Sequence, residues 1–535
     1  MNYESWKNCF NPHFFAYGQF PLYLGYFMIA MYHFLLKKSG GLISFEEATL
    51  ALRFISAVSS ILLVWIAIKT VILTLGKVKG EGSLANARKN LRQAEGFFTS
   101  FRMTGIVTLL LFTFSPGLIQ LAHFGTTESL LMVLYLGIIY SSLLLLQKKI
   151  RNSLFIILTS LLSGMAIATK ISSALFLAVP FFAMLASLHP EGVKRLVLAR
   201  TMVSFSILTS LFTILFSPHN IISFPDFISS IHYEADIGTG RLIAFYTKQF
   251  LHTVPVVFQF AKIFPYALGW PVFLLFIIGF IFLPRNKTNN FLRFSWLIYF
   301  LPTAFFFAKW TRFMSPIFPL MILFASLELI VILNKVKDIS FRQLVDASSN
   351  NLRDSSLALR MTTTTLLLIL TILPGIAYLS IYQNPDTRFQ ASEWIYKNIP
   401  ANSYILSEGA NVVDIPIQTL SSKPKTLNYN ITNFDFYNLD SDPILQDQLK
   451  EHLKKADYIF VPSRRVFANH KKQYPLVNKY YEDLFSGKLG FQKVAEFTSF
   501  PKLEIGIWKL ELPDERAEET WSVFDHPVIR IYKRV

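Results

Sequence analysis

Long stretches of this chain carry almost no charge. Ten of them, roughly 51–75, 105–123, 125–147, 153–169, 171–188, 201–218, 257–283, 291–308, 315–334 and 363–383, approach the ~20 apolar residues that cross a ~30 Å hydrocarbon core. Such a segment can leave water only if every backbone N–H and C=O is satisfied within it, which predicts helices. Segment 14–36 is apolar too, but Gly18 and Pro21 interrupt it, so it either spans or lies at the interface. The expected fold is a polytopic α-helical membrane protein of about 10–11 apolar helices. The composition agrees, with 52% hydrophobic and 16% charged residues over 535 positions. A soluble enzyme, a disordered protein and a disulfide scaffold are excluded; Cys9 is the only cysteine.

The net charge of +17 first suggests nucleic acid. Its distribution removes that partner. Residues 384–535 hold 20 basic and 20 acidic residues. The loops 76–104, 148–151, 189–200, 284–293 and 335–362 together hold 20 basic and 6 acidic, and they share one side if the ten segments alternate. Basic loops between apolar spans mark the cytoplasmic side. The expectation is a multi-pass plasma-membrane protein, with loop 219–256 and the C-terminal region outside.

Two domains are expected: a membrane domain over 1–383 and an extracytoplasmic α/β domain over 384–535. In the latter, Thr387–Asn398 and Pro475–Phe485 have helical patterns, and Tyr404–Ser407, Tyr458–Pro462 and Val528–Tyr532 read as strands.

Ionisable residues away from the basic side are costly, and chemistry is one reason to keep them. Glu128 follows His123-Phe-Gly-Thr-Thr and is the only acid in a long apolar stretch. It either serves as a base or metal ligand, or is a helix N-terminal acid capped by Thr126 or Thr127. Lys170 follows the small-residue run Gly164–Thr169; it either neutralises a lipid phosphate or snorkels to the interface. Lys309-Trp-Thr-Arg312 places two cations at a span end, as a phosphate grip or as interfacial anchors. His232 and Glu234, followed by Arg241, can share one divalent ion if the backbone is extended, or are a solvated loop. No P-loop, dinucleotide-binding glycine pattern, zinc spacing or nucleophile elbow occurs.

In the order of these features the chain resembles the C-type integral-membrane glycosyltransferases, nearest the protein O-mannosyltransferase family that includes the lipid A aminoarabinose transferase. The resemblance covers residues 10–383 and rests on order and topology more than on any one string. Asn11-Pro-His-Phe-Phe, with Tyr17 and Pro21-Leu-Tyr23, resembles the end of the family's first outer loop. Arg53 resembles the arginine opening the next span, and Glu128 the family's second acidic position. Lys170 resembles the lysine that contacts the donor phosphate, and Lys309 to Pro319 the Lys…Arg-aromatic-x-x-Pro segment. His232 to Arg241 falls where some members place metal or phosphate ligands.

The resemblance implies transfer of a sugar from a polyprenyl-phosphate donor to a protein, lipid or glycan acceptor on the outer face of the bilayer. Glu128 would act in catalysis, and Lys170, Arg241, Lys309, Arg312 and Arg53 would bind the donor phosphate. The family's first span and its Asp or Asp-Glu would precede residue 10, so an N-terminal truncation that removes the principal acid is expected. A non-catalytic alternative, a lipid-linked sugar carrier or scaffold, stands beside the enzyme.

Overall fold

The computed structural model describes residues 11–36, 43–75, 103–188, 195–346, 350–409, 414–417, 429–468 and 472–535, with backbone alone over 335–364 and at 505. Most of the loops 76–104 and 189–200, together with Met1–Phe10, where the truncation reading rests, lie outside the described residues. The chain divides into two compact units. The first comprises Met1–Asp236, Phe264–Phe306 and Arg312–Gly375, and the second Ile237–Ile263, Phe307–Thr311 and Ile376–Val535.

The first unit is helical. Among the described residues six helices are long and apolar enough to cross a membrane: Phe45–Leu75, Glu128–Leu146, Asn152–Thr169, Arg195–Phe216, Thr311–Asn334 and the stretch from Thr365. Met103–Thr113 and Pro116–His123 form a seventh if counted as one span bent by 62°. Pro116 supplies the bend, since it has no N–H to continue the ladder. Phe20–Leu35, Ile171–Ser187 and Trp270–Phe282 are shorter apolar helices, and Lys287–Ala304 is a further one that carries polar residues in its first turns. This is the polytopic helical fold that the charge-free segments predict.

Glu128–Leu146 and Thr311–Asn334 are the most enclosed, with 83% and 89% of their apolar windows buried. Both are apolar over most of their circumference, as a helix surrounded by other helices must be, though the second buries Glu328. Arg195–Phe216, buried over 17% of its window, faces outward.

One expected span does not form as drawn. Segment 257–283 breaks into Val257–Lys262, Phe264–Leu268 and Trp270–Phe282. Gly269 sits at φ +78°, outside the helical region, and Val256 at φ +68°. The expected outer loop 219–256 contains a 16-residue helix, Phe224–Thr239.

The second unit is an α/β domain. Strands β1 (Tyr404–Glu408), β2 (Asn430–Phe434), β3 (Tyr458–Val461), β4 (Phe491–Phe497) and β7 (Ile529–Arg534) form a sheet in the order β2-β1-β3-β7-β4. β1 pairs parallel with β2 and β3, and β7 pairs antiparallel with β3 and β4. β5 (Lys502–Ile505) and β6 (Trp508–Glu511) make a separate hairpin.

Strand side chains alternate between faces, and the sheet uses both. Leu406, Ile459, Val461 and Tyr532 pack on one side with Leu449, Val477 and Leu484, from the helices Pro443–Lys455 and Pro475–Phe485. Ile405, Tyr458, Phe460, Ile529 and Ile531 pack on the other with Ala391 and Ile395 of the helix Thr387–Asn398. Continuous rather than alternating apolar runs such as Tyr458–Val461 follow from that double burial.

Candidate functional site

The first unit gathers four of the sequence-singled residues, Glu128, Lys170, Arg312 and Glu234, around Tyr17. Glu128 opens the helix Glu128–Leu146. Thr127 stands at the cap position but makes no side-chain cap bond, and its hydroxyl has no hydrogen-bond partner. The capping that the sequence offered as an alternative is therefore not used here. Glu128 is 2% exposed. Its Oε1 has no hydrogen bond and lies 3.8 Å from Lys170 Nζ. A buried carboxylate oxygen without a hydrogen bond is expensive, and the usual reasons to keep one are chemical.

Lys170 ends the helix Asn152–Thr169. Its backbone turns extended (φ −158°, ψ 124°) before the helical turns of Ile171–Leu177 begin. The ammonium sits 5.2 Å from the Tyr17 ring centre and 5.1 Å from that of Phe313. Two aromatic faces thus hold the cation while leaving its N–H donors available to oxygen.

Tyr17 is placed by Gly18, whose N–H donates to the Thr169 carbonyl at 3.0 Å. A Cβ on residue 18 would lie 1.9 Å from the Ala168 carbonyl oxygen, so no other residue permits this approach. Gln19 then locks the segment. Its amide donates to Asn220 Oδ1 (3.2 Å), its Oε1 accepts from the His219 N–H (3.0 Å) and the Tyr23 hydroxyl (3.2 Å), and its own N–H donates to Ser217 Oγ (3.3 Å).

Arg312 is exposed and donates through Nη1 to the Tyr17 hydroxyl at 3.2 Å. Its neighbour Phe313 is fixed by the Tyr299 hydroxyl, which donates to the Phe313 carbonyl at 3.0 Å. Burial pushes the Tyr17 phenol up; Arg312 opposes this, while Glu128 and Glu234 add to it. Glu234 acts electrostatically on Lys170 as well. The arrangement is two cations, one buried acid, one exposed acid and a bridging phenol. It can hold a monoanionic phosphodiester beside a carboxylate.

Arg53 is exposed on the helix Phe45–Leu75. Arg241 is exposed and belongs to the second unit. Lys309 also belongs to the second unit, where it is 3% exposed and donates to the Phe307 carbonyl at 3.0 Å. The extended backbone on which His232 and Glu234 could share one divalent ion is not formed. Both lie on the helix Phe224–Thr239, where residues two apart do not face each other. Among the described residues no group of three or more His, Cys, Asp or Glu is placed to hold a metal. Sequence reasoning had Phe313 only as the aromatic of the Arg-aromatic-x-x-Pro string, and missed the roles of Tyr17 and Gly18. Tyr17 drew attention only as part of a loose string, and nothing local ties it to Lys170.

No protein-family model matches the chain, and no curated protein matches it. Among solved structures it is similar to the archaeal oligosaccharyltransferase AglB from Archaeoglobus fulgidus, in complex with an inhibitory peptide and a dolichol-phosphate. The identity is 13% and the TM-score 0.45, over 87% of this chain and 64% of that one. It is similar to ArnT from Cupriavidus metallidurans bound to undecaprenyl phosphate, at 13% identity and TM-score 0.40, over 97% and 88%. It is similar to the arabinofuranosyltransferase AftD from Mycobacteria, at 13% identity and TM-score 0.29, over 91% and 35%. The chain thus spans 64% of the length of the AglB structure. The likeness is too remote to carry an argument about activity, which rests on the site's own geometry.

Proposed function

We propose that this chain is a glycosyltransferase that moves a sugar from a polyprenyl-phosphate donor to a hydroxyl-bearing protein, lipid or glycan. The reaction takes place at the membrane face opposite the basic loops, with residues 384–535 on that side. One observation carries this reading: the buried Glu128 oxygen, without a hydrogen bond, 3.8 Å from an ammonium that two aromatic rings hold.

The donor phosphodiester carries one negative charge. Lys170 and Arg312 take its oxygens, and their two positive charges offset the phosphodiester and Glu128, while the exposed Glu234 adds one further negative charge. As Lys170 turns to the phosphate, Glu128 loses its nearest countercharge in a buried place. The acceptor oxygen then attacks the anomeric carbon and its proton passes to Glu128. The bond between the anomeric carbon and the phosphate oxygen breaks, and the lipid phosphate leaves with the electron pair. The two cations stabilise the charge gathering on that leaving group. No nucleotide is needed, in keeping with a sequence that has no P-loop or dinucleotide pattern.

Purified protein in liposomes with radiolabelled polyprenyl-phosphate sugars tests this. Transfer that is lost in Glu128→Gln while labelled donor still binds supports the reading. Full transfer by both Glu128→Gln and Arg312→Ala overturns it.

A further inference from the structure

The hairpin β5–β6 has no counterpart in the chemistry above, and it is built with two unlike faces. The pairing sets Lys502 opposite Glu511, Leu503 opposite Leu510, Glu504 opposite Lys509 and Ile505 opposite Trp508. Alternation puts Lys502, Glu504, Lys509 and Glu511 on one face. There they neutralise one another, Lys502 with Glu504 at 3.1 Å and Lys509 with Glu511 at 3.0 Å. Leu503, Trp508 and Leu510 share the other face. The tip is Gly506-Ile507. Ile507 is 96% exposed, Trp508 77% and Leu510 55%.

The base of this hairpin is tied to the end of an apolar helix. The Lys502 N–H donates to Ser380 Oγ at 3.0 Å. Ser380–Gln383 is the helical turn that directly follows the helix Asn350–Leu379, whose stretch from Thr365 is long and apolar enough to span. Leu379 and Ile376, on its last turn, are exposed as well. Strands of four residues reach about 13 Å, so the tip lies within one headgroup layer or so of the point where the chain leaves the span. Tryptophan with aliphatic neighbours at that depth is the composition of an interfacial anchor.

We propose that the β5–β6 hairpin is a membrane-contacting finger whose Ile507, Trp508 and Leu510 enter the interfacial layer of the bilayer and fix the second unit against the lipid surface. Its neutral polar face offers no net charge to attract a charged partner, and apolar insertion carries the contact.

The full chain in liposomes of phosphatidylethanolamine and phosphatidylglycerol tests this. Ile507→Cys in a Cys9→Ser background takes a nitroxide label, and Lys450→Cys, on the exposed side of the helix Pro443–Lys455, takes the same label as reference. Oxygen, which partitions into lipid, should relax the label at 507 several-fold more than a water-soluble nickel chelate does, with the reverse order at 450. A label at 507 as open to the chelate as the one at 450 overturns the proposal. So does one shielded from both reagents, which would mean a second copy or a protein partner covers the tip. The result does not depend on sugar transfer, so this proposal and the catalytic one fail separately.

Discussion

Each unit buries an acid beside a base, and the two pairs are treated differently. In the second unit His526, 1% exposed, has both ring nitrogens engaged. Its Nε2 contacts Asp514 at 3.0 Å and its Nδ1 contacts Asp525 at 3.1 Å. Those acids are engaged in turn. The Trp521 indole donates to Asp514 at 2.8 Å, and the hydroxyls of Tyr378 and Tyr382 donate to Asp525 at 2.7 and 3.1 Å. Glu128 is as deeply buried, yet one of its oxygens has no hydrogen bond, and Arg312 of its cluster is exposed. A satisfied buried network rigidifies a fold. An incompletely satisfied one beside an exposed cation, Arg312, is arranged for something that arrives. What separates a working site from structural cement is unsatisfied capacity with access, more than buried charge itself.

Substitutions can break that contrast. Glu128→Gln should lower transfer by roughly 10²–10⁴-fold, the usual range for a lost acid–base group, while leaving thermal unfolding in detergent nearly unchanged. If unfolding shifts and transfer does not, Glu128 belongs with the cement. Asp514→Asn should do the opposite and destabilise the second unit by about 3–5 kcal/mol, the range for removing one partner of a buried ion pair. Denaturant unfolding followed by tryptophan fluorescence would read it, and an unchanged midpoint would remove the distinction.

The same network should give a pH signature. Burial works against the charged form of His526, but Asp514 and Asp525 override it and hold the imidazole at about 10, above its ordinary 6.5. A raised value means that this stabilisation is fully present below about pH 6.5 and fades as pH rises toward 10. Unfolding midpoints of the wild type should therefore fall over that range, with a shallower fall in Asp514→Asn. A smaller effect is expected at Tyr17. Tyr17→Phe keeps the ring over Lys170 and removes the acceptor for Arg312, so donor KM should rise a few-fold, about 1 kcal/mol, at nearly constant kcat. Lys450→Ala, which removes an exposed partner of Asp447, should change stability by no more than about 0.5 kcal/mol.

Much of the fold was legible because the bilayer enforces simple rules. Charge-free length marked the helices, and double burial marked Tyr458–Val461 as a strand. The helix Pro475–Phe485 was readable from its proline start and apolar spacing, and the structure gives it the same bounds. Segment 257–283 misled because its apolar residues read as one stretch across Lys262 and Pro265, while the backbone breaks at Ile263 and Gly269. Glu128 and Lys170 were legible singly, as charges in costly places. Their pairing was not, because no periodicity links helices far apart in the chain. Tyr17 and Gly18 were hidden for a further reason: their work lies in a backbone approach to Ala168, and hydropathy does not register backbone approach.

The interleaving of the second unit has a consequence in time. Residues 237–263 and 307–311 belong to it, yet its sheet is completed by β7, Ile529–Arg534. Glu518, which accepts from both the N–H and the hydroxyl of Thr311 at 3.0 and 2.9 Å, lies 207 residues further on. During synthesis the early pieces must wait through the making of the last spans for partners not yet translated. Loop closure over that length is slow and leaves their surfaces uncovered meanwhile. Assembly of this unit thus waits for residues 518–534 to be made, and a ribosome that stalls before residue 518 leaves two segments with no sheet domain to join.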